Sequence, residues 1–279
     1  GVAEGVIRDA IAGAFFPGKK GEEAKEIVKT IEWAWFLKPD YGEIARIAKE
    51  KGLSGLKKIT LTPGSPYHVL LSEKAPSLED ALKAFEHPSL EYKYDGARLI
   101  IQKKNEKIWL FTRRLENVTR QFPEVLKMVV QAIKAKECIV EGEMLGIDPK
   151  TGKPLPFQSL SQRIKRKYDI EQMVREIPVQ VNLFDMVYLN GEILFDSPLR
   201  ERRKKLEGII KPIPGKFQLA RRLVTKDLKK AEEFYKEALR ANQEGVMVKN
   251  LDAKYQPGKR VGYWLKVKPT LETLDLAII

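Results

Sequence analysis

The segment EYKYDGAR at residues 91–98 places Lys93 between two acidic residues on a strand-like stretch. Side chains alternate along a strand, so Glu91, Lys93 and Asp95 point to one side and the tyrosines between them to the other. Lysine attacks as a nucleophile only when neutral, and burial or neighbouring cations lower its pKa toward that state. The pattern favours either a nucleophilic lysine in a pocket or a structural ion pair with Glu91 or Asp95, and K-x-D-G alone does not separate the two.

Carboxylates recur in two later strand-like segments. In CIVEGEML, Glu141 and Glu143 fall on one strand face. A pair of this kind holds a hard cation such as Mg²⁺ or hydrogen-bonds a ribose, although a solvent-facing acidic pair has the same pattern. In EGVMVKN, Glu244 and Lys249 bracket an apolar core.

An aromatic residue and two lysines complete the set. Phe184 lies in the middle of the strand-like VNLFDMVYLNG, where it is either a core residue or a platform for a base. Lys266 and Lys268 share one face of YWLKVKP. They are either ligands of a triphosphate or solvated residues of an edge strand. Together with the carboxylates, these residues predict a site in which a lysine attacks the α-phosphate of a nucleotide, while a metal and cations neutralise the developing charge.

Charge and composition indicate the partner and exclude several kinds of site. Lys and Arg outnumber Asp and Glu by 51 to 38, which indicates a polyanionic partner or the Lys-rich surface of a heat-adapted protein. The densest basic runs are RIKRK at 163–167 and RERRKK at 200–205. The single cysteine, Cys138, and the two histidines exclude an intrachain disulfide, a thiolate zinc cluster and a histidine-based triad. No apolar stretch reaches membrane-spanning length, so we expect no membrane association and a cytoplasmic location.

The elements that carry these residues change character along the chain. Helical spacing of apolar residues predicts helices at 2–15 and 22–37, and a third helix capped by Asp40 and ended by Gly52. After the boundary TLTPGSP at 60–66, short strands alternate irregularly with helices. This order predicts an α+β fold with mainly antiparallel sheets flanked by helices, preceded by a short all-helical segment.

In this order, the segments resemble the motifs of the covalent nucleotidyltransferases, most closely the archaeal and eukaryotic type of ATP-dependent DNA ligase. The resemblance covers nearly the whole chain and includes five ordered motifs. It implies that ATP adenylates Lys93, that Phe184 stacks on adenine, and that Mg²⁺, or alternatively Mn²⁺, binds at Glu143 and Glu244. The further nucleotide contacts that it implies are Glu91 at the adenine amino group, Arg98 and Glu143 at the ribose, Arg113 at sugar or phosphate, and Lys249, Lys266 and Lys268 near the phosphates.

The resemblance also implies a domain division and partners. Residues 1–61 correspond to the C-terminal part of a helical DNA-binding domain and residues 62–279 to the adenylation (nucleotidyltransferase) domain. The OB-fold domain that follows in this family is expected to be absent, because TLETLDLAII at 270–279 resembles the exit into it. His68 stands where the family has an arginine. We expect a monomer that binds nicked double-stranded DNA, with a sliding clamp as a further partner of the full-length protein. The candidates for contact with the DNA backbone are Arg113, Arg114, Arg163, Lys165, Arg166 and the run 200–205.

Two alternatives remain open from the sequence. An RNA ligase or an mRNA-capping guanylyltransferase also uses K-x-D-G, and the preferred nucleotide and nucleic acid distinguish them from a DNA ligase. A non-catalytic nucleic-acid-binding module would bind in a salt-sensitive way and form no covalent nucleotide.

Overall fold

The computed structural model of the chain describes residues 4–269, so the segment TLETLDLAII lies outside the described residues. Three helices come first: α1 (Glu4–Phe15), α2 (Gly21–Leu37) and α3 (Tyr41–Lys57). They pack around a hydrophobic cluster of their own that includes Ile11, Ile31, Ile44 and Leu56. This helical segment agrees with the predicted one, whereas the domain boundary between 61 and 62 stays a prediction.

The third helix begins as predicted and ends later than predicted. The Asp40 carboxylate accepts a hydrogen bond of 3.0 Å from the Glu43 N–H, which caps the first turn. Gly52 kinks the chain at φ 58° without ending the helix, which continues to Lys57. Leu56 lies fully buried in that last turn, so tertiary packing maintains the helix beyond a residue that commonly ends one.

Strands and further helices alternate after Leu61. The helices are α4 (Leu78–Lys83), a 3-10 turn at Thr119–Gln121, α5 (Pro123–Ala132), α6 (Phe157–Lys165), α7 (Ile170–Glu176), α8 (Leu199–Ile209) and α9 (Leu228–Arg240). The strands are β1 (Leu71–Lys74), β2 (Pro88–Lys93), β3 (Ala97–Lys104), β4 (Lys107–Thr112), β5 (Glu137–Gly146), β6 (Val179–Leu189), β7 (Glu192–Ile193), β8 (Phe217–Leu219), β9 (Arg222–Val224), β10 (Gly245–Asn250) and β11 (Arg260–Val267). Within residues 4–269, every helix is too short or too polar to cross a lipid bilayer.

The strands form two sheets. One has the order β1-β11-β10-β2-β9, and the other has the order β4-β3-β5-β6-β7 with β8 added beside β6. Neighbouring strands are antiparallel except for the pairs β1·β11 and β6·β8, which are parallel. The α+β fold with mainly antiparallel sheets is therefore confirmed.

A hydrophobic cluster joins the two sheets. It combines Tyr94 and Trp264 from the first sheet and its edge with Ile100, Ile139 and Val187 from the second. The outer face of the second sheet packs against α5 and α6, and that of the first packs against α4 and α9. Cys138 lies buried in the core of the second sheet, where burial raises the pKa of its thiol to about 12.

The helical segment docks against the sheets through His68. The His68 N–H donates to the Phe36 carbonyl at 2.8 Å, and the His68 carbonyl accepts from the Gly258 N–H at 2.9 Å. The Trp35 ring lies 4.0 Å from the imidazole, centroid to centroid. A Cβ on Gly258 would lie 2.2 Å from the Phe36 ring, so this contact requires glycine. His68 therefore joins the helical segment to the sheets.

Candidate active site

A cavity of about 840 Å³ opens between the two sheets. It is lined by every residue predicted to bind nucleotide or metal, together with three of the predicted DNA-contacting residues. These residues are Glu91, Lys93, Arg98, Arg113, Arg114, Glu143, Lys165, Phe184, Glu244, Lys249, Lys266 and Lys268. The chain passes from β2 in one sheet to β3 in the other at Gly96, where a Cβ would lie 2.3 Å from the Met144 carbonyl. The tight turn that glycine allows brings Lys93 and Arg98, from different sheets, to one cavity.

Lys93 lies beside Glu244 in the cavity. Because Lys93 pairs with Gly245 across β2 and β10, Glu244 comes directly next to it. The Glu244 Oε2 atom is 2.5 Å from the Nζ atoms of both Lys93 and Lys268. Burial raises the pKa of Glu244, and the two ammonium groups outweigh it and hold that pKa below its ordinary value. The ion-pair partner of Lys93 is therefore Glu244, and neither Glu91 nor Asp95 takes that role.

Aromatic rings and a buried ion pair form another part of the cavity. The Lys249 Nζ atom lies 2.5 Å from Glu91 Oε2, 4.3 Å from the Phe184 ring centroid and 4.0 Å from the Trp264 ring centroid. Burial lowers the pKa of Lys249, and Glu91 opposes that shift. Gly245 pairs with Lys93, and Lys249 lies four residues further along β10. The backbones of the two lysines are therefore about 13 Å apart along the strand direction. The structure therefore places Lys249 with Glu91 and Phe184 in the cavity, and its contact with the phosphates stays a prediction.

A buried carboxylate holds Arg98 in place. Glu141 is fully buried and accepts hydrogen bonds from Arg98 and from the hydroxyls of Tyr67 and Tyr255, the last at 2.5 Å. The Arg98 guanidinium also donates to the Leu70 carbonyl at 2.8 Å and lies 5.2 Å from the Phe184 ring. Glu141 is thus neither a metal ligand nor a solvent-facing acid. The two tyrosines were missed from the sequence because they lie far from the motifs and have no spacing pattern.

Glu143 enters the cavity from β5, opposite Arg98 on β3. Burial raises the pKa of the Glu143 carboxyl from 4.5 to about 7, and the charges of Lys93 and Arg98 partly offset this rise. A carboxylate with this pKa is half protonated near neutral pH. A cation bound beside it would favour the ionised form.

We expect Glu143→Gln to stabilise the metal-free protein at alkaline pH. The folded protein binds this proton more tightly than the unfolded chain, so wild-type stability falls as the pH rises from about 4.5 to about 7. Gln does not ionise, so the variant avoids the free-energy cost of a buried carboxylate. It should be more stable than the wild type by up to about 3 kcal/mol near pH 8. Urea denaturation with a chelator present measures this difference. It should vanish near pH 4, and an equal difference at both pH values would contradict the assigned titration.

Comparison with known proteins identifies the family. Residues 69–268 match the family model of the ATP-dependent DNA ligase domain. The chain belongs to the ATP-dependent DNA ligase family. Over its whole length it is 50% identical to a DNA ligase of Nanoarchaeum equitans and 45% identical to a DNA ligase of Thermococcus onnurineus, and it covers 48% of each. This ligase-family chain thus spans about half the length of the curated relatives it matches, and the resemblance to the archaeal type is confirmed.

Solved structures show the same fold at lower identity. A mycobacterial DNA ligase D in complex with ATP has a TM-score of 0.53 and 23% identity, with 72% of this chain and 60% of that chain covered. The ATP-dependent DNA ligase of bacteriophage T7 in complex with ATP has a TM-score of 0.53 and 15% identity, with 72% of this chain and 68% of that chain covered. At these identities the likeness supports the adenylation-domain fold and nothing finer.

One of the predicted DNA-contacting residues of the ligase-family chain lies in its interior. Arg163 is fully buried, donates to the carbonyls of Ile177 at 2.7 Å and Gln121 at 3.1 Å, and pairs with Glu124. It therefore anchors α6 and does not face solvent, so it is not available for DNA contact. Lys165, two residues further on, is exposed and lines the cavity. Arg166 is exposed and pairs with Asp169 at 3.1 Å, where the left-handed φ of 54° separates α6 from α7.

The run RERRKK at 200–205 is also largely structural. Arg202 and Arg203 are buried, and Arg202 donates to both carboxylate oxygens of Asp185 at 2.8 and 2.9 Å. Arg200 is exposed and pairs with Asp252. Helical geometry turns these arginines to different sides of α8, so the run does not form a continuous basic surface.

Proposed function

We propose that this chain is the catalytic core of an ATP-dependent DNA ligase and that Lys93 is its nucleophile. The neutral amine of Lys93 attacks the α-phosphorus of ATP, a nitrogen–phosphorus bond forms, the bond to the β-phosphate breaks, and pyrophosphate leaves. The ammonium must first lose a proton, and the Glu244 carboxylate at 2.5 Å is the neighbouring acceptor. The observation that carries the proposal is the position of Lys93 in the cavity beside Glu244, Lys266 and Lys268.

The cavity provides a place for each part of the nucleotide. The ring centroids of Phe184 and Trp264 lie 6.0 Å apart, and the angle between the ring planes is 80°. These two rings form the apolar part of the lining, and the buried Glu91–Lys249 pair lies beside them. We assign the base to this part. The ribose then lies near Arg98 and Glu143, and the phosphates reach Lys93, Lys266 and Lys268. All of these residues line the same cavity, which supports a single bound nucleotide as its occupant.

The carboxylates fit a divalent cation held partly by the substrate. Glu143 and Glu244 both line the cavity, while residues 4–269 contain no group of three or more metal-ligating side chains. Mg²⁺ is commonly bound through one or two carboxylates together with substrate phosphates and water, and Mn²⁺ has similar ligand preferences. Glu143 and Glu244 would hold it, and when bound it neutralises charge that develops on the phosphates.

The later steps concern the whole protein. AMP is passed to the 5′-phosphate at a nick in double-stranded DNA, and the adjacent 3′-hydroxyl displaces AMP to seal the strand. Family membership supports this substrate, and the exposed Arg113, Arg114 and Arg166 with Lys165 provide cations for the DNA backbone. A monomeric state, a sliding clamp as partner and a cytoplasmic location are proposed for the full-length protein on the resemblance alone.

Intact-protein mass spectrometry after incubation with ATP, GTP or NAD and Mg²⁺ tests the proposal. We expect the mass of one adenylyl group to be added with ATP and no addition with GTP. A guanylyl adduct would instead indicate a capping guanylyltransferase. Absence of any adduct, both on this chain and on one extended past Ile279, would contradict the ligase proposal and favour a non-catalytic nucleic-acid-binding module. Separate assays of the longer chain on nicked DNA and on nicked RNA then distinguish a DNA ligase from an RNA ligase.

A further inference from the structure

A buried amide lies behind the cavity on β6. Asn182 is fully buried and does not line the cavity, whereas Glu143 on the neighbouring strand does. The Asn182 Oδ1 atom accepts hydrogen bonds from the side-chain amides of Gln180 at 2.9 Å and Gln218 at 3.2 Å. Its Nδ2 atom is buried and, among residues 4–269, has no hydrogen-bond partner. Buried donors in proteins are almost always paired, so this free N–H group requires an explanation.

The hydrogen bonds of Gln218 determine which way the Asn182 amide is turned. The Gly215 N–H donates to Gln218 Oε1 at 3.0 Å. A backbone N–H can only donate, so the NH2 group at the other end of the Gln218 amide faces Asn182. An NH2 group also can only donate, and Asn182 must therefore present its Oδ1 atom to Gln218. The Nδ2 atom of Asn182 then lies on the side of the amide away from Gln218.

Strand pairing places Glu143 on that side. Asn182 pairs with Gln218 of β8 on one flank and with Glu143 of β5 on the other. Directly paired side chains of antiparallel strands lie on the same face of the sheet, with Cβ atoms about 4.5–5.5 Å apart. Gly142 lets the two strands approach closely here, because a Cβ on it would lie 2.8 Å from the Asn182 carbonyl oxygen. Rotation about side-chain bonds is therefore enough to bring the Glu143 carboxylate to the Asn182 amide.

A donor in this position suits a carboxylate that binds a cation. Glu143 is one of the two cavity carboxylates that would hold Mg²⁺. A carboxylate that gives one oxygen to the metal keeps a second oxygen that accepts hydrogen bonds. A hydrogen bond to that second oxygen fixes the orientation of the carboxylate, as the outer partners of metal ligands commonly do.

We propose that Asn182 is a positioning residue for Glu143, and that its side-chain N–H donates to the Glu143 carboxylate when a divalent cation is bound. This inference rests on the proposed function, because it takes Glu143 as a ligand of the cation. Gln180 and Gln218 hold the amide in the donating orientation. Asn182 lies outside the cavity lining, so it acts through Glu143 and does not touch the nucleotide.

Equilibrium binding of ATP at a series of Mg²⁺ concentrations tests the proposal. Calorimetry on the chain with Lys93→Ala, which cannot react covalently, measures binding without turnover. For Asn182→Leu we expect a rise of about ten- to a hundredfold in the Mg²⁺ concentration that gives half of the metal-dependent gain in ATP affinity. The Kd for ATP without Mg²⁺ should stay unchanged. In a chain that also carries Glu143→Gln, Asn182→Leu should cause no further rise in the Mg²⁺ requirement.

Gln102→Leu is the matched control. Gln102 is as fully buried as Asn182 and lies in the same sheet on β3, but its amide bonds to Gly64 and Ser65 outside the cavity. This control should leave the Mg²⁺ requirement unchanged. Asn182→Ser is a smaller change that keeps an acceptor for the neighbouring glutamines and removes the donor that reaches Glu143. It should reproduce the effect of Asn182→Leu, and it decides the question if the leucine variant does not fold.

Each outcome bears on the inference. An unchanged Mg²⁺ requirement in the folded Asn182 variant would overturn it, and so would an equal rise in the Glu143→Gln chain, which would show that Asn182 acts independently of Glu143. A matching loss of ATP binding without Mg²⁺ would mark Asn182 as a general structural residue and also overturn it. If the chain with Lys93 forms no adenylyl adduct but Asn182→Leu raises the Mg²⁺ requirement, the proposed function fails while the positioning role stands.

Discussion

A Lys93→Ala chain is expected to form no adenylyl adduct with ATP and Mg²⁺, whereas the unsubstituted chain is expected to form one. The nitrogen that would form the bond to phosphorus is removed, and loss of a nucleophile commonly reduces the rate by at least ~10³-fold. Lys93→Arg should be equally inactive although it keeps the positive charge beside Glu244, because a guanidinium does not lose its proton in proteins. Intact-protein mass spectrometry measures both variants.

The competing nucleophile in this structure is Lys268. Its Nζ atom is as close to Glu244 Oε2 as that of Lys93, at 2.5 Å. Lys268→Ala should still form the adduct at a reduced rate, since it loses only one cation of the proposed phosphate site. Lys83→Ala, at an exposed position of helix α4, should react as wild type does. An adduct that persists on Lys93→Ala and disappears from Lys268→Ala would transfer the role to Lys268.

The sequence predicted which residues line the cavity because local alternation decides which face of a strand a side chain occupies. Lys93, Glu143 and Lys266 each lie on the charged face of a strand whose other face is apolar, and all three enter the cavity. The partners of these residues depend on pairing between strands that are distant in sequence. The contact of Lys93 with Glu244 follows from the register of β2 against β10, which no local pattern encodes.

Basic runs gave weaker predictions for a related reason. A count of arginines in RIKRK or RERRKK does not reveal that Arg163 and Arg202 reach inward to carbonyls and carboxylates. Arginine lies in the interior only with such partners, and the partners come from other elements. Arg260 is the opposite case, an isolated residue whose position in the cavity depends on a bulge in β11. Bulges leave no reliable signal in a single sequence, so the residue was missed.

Arg202→Met is expected to destabilise the protein by about 3–5 kcal/mol. Arg202 and Asp185 are both fully buried, and the guanidinium also donates to the carbonyls of Ser197 at 2.7 Å and Ala253 at 3.1 Å. Removing the arginine leaves the Asp185 carboxylate in the interior without a counter-charge. Because Asp185 follows Phe184 on β6, the same change should also weaken nucleotide binding. Urea denaturation monitored by tryptophan fluorescence measures the loss of stability.

Two further variants test whether the loss of stability comes from the unpaired buried charge or from a general effect of substitution in α8. Arg200→Met removes a half-exposed arginine of the same helix and should cost less than about 1 kcal/mol, as surface ion pairs do. The double variant Arg202→Met with Asp185→Leu should be more stable than Arg202→Met alone, since no unpaired charge remains in the core. A double variant that is less stable than the single one would contradict the attribution of the loss to an unpaired Asp185 carboxylate.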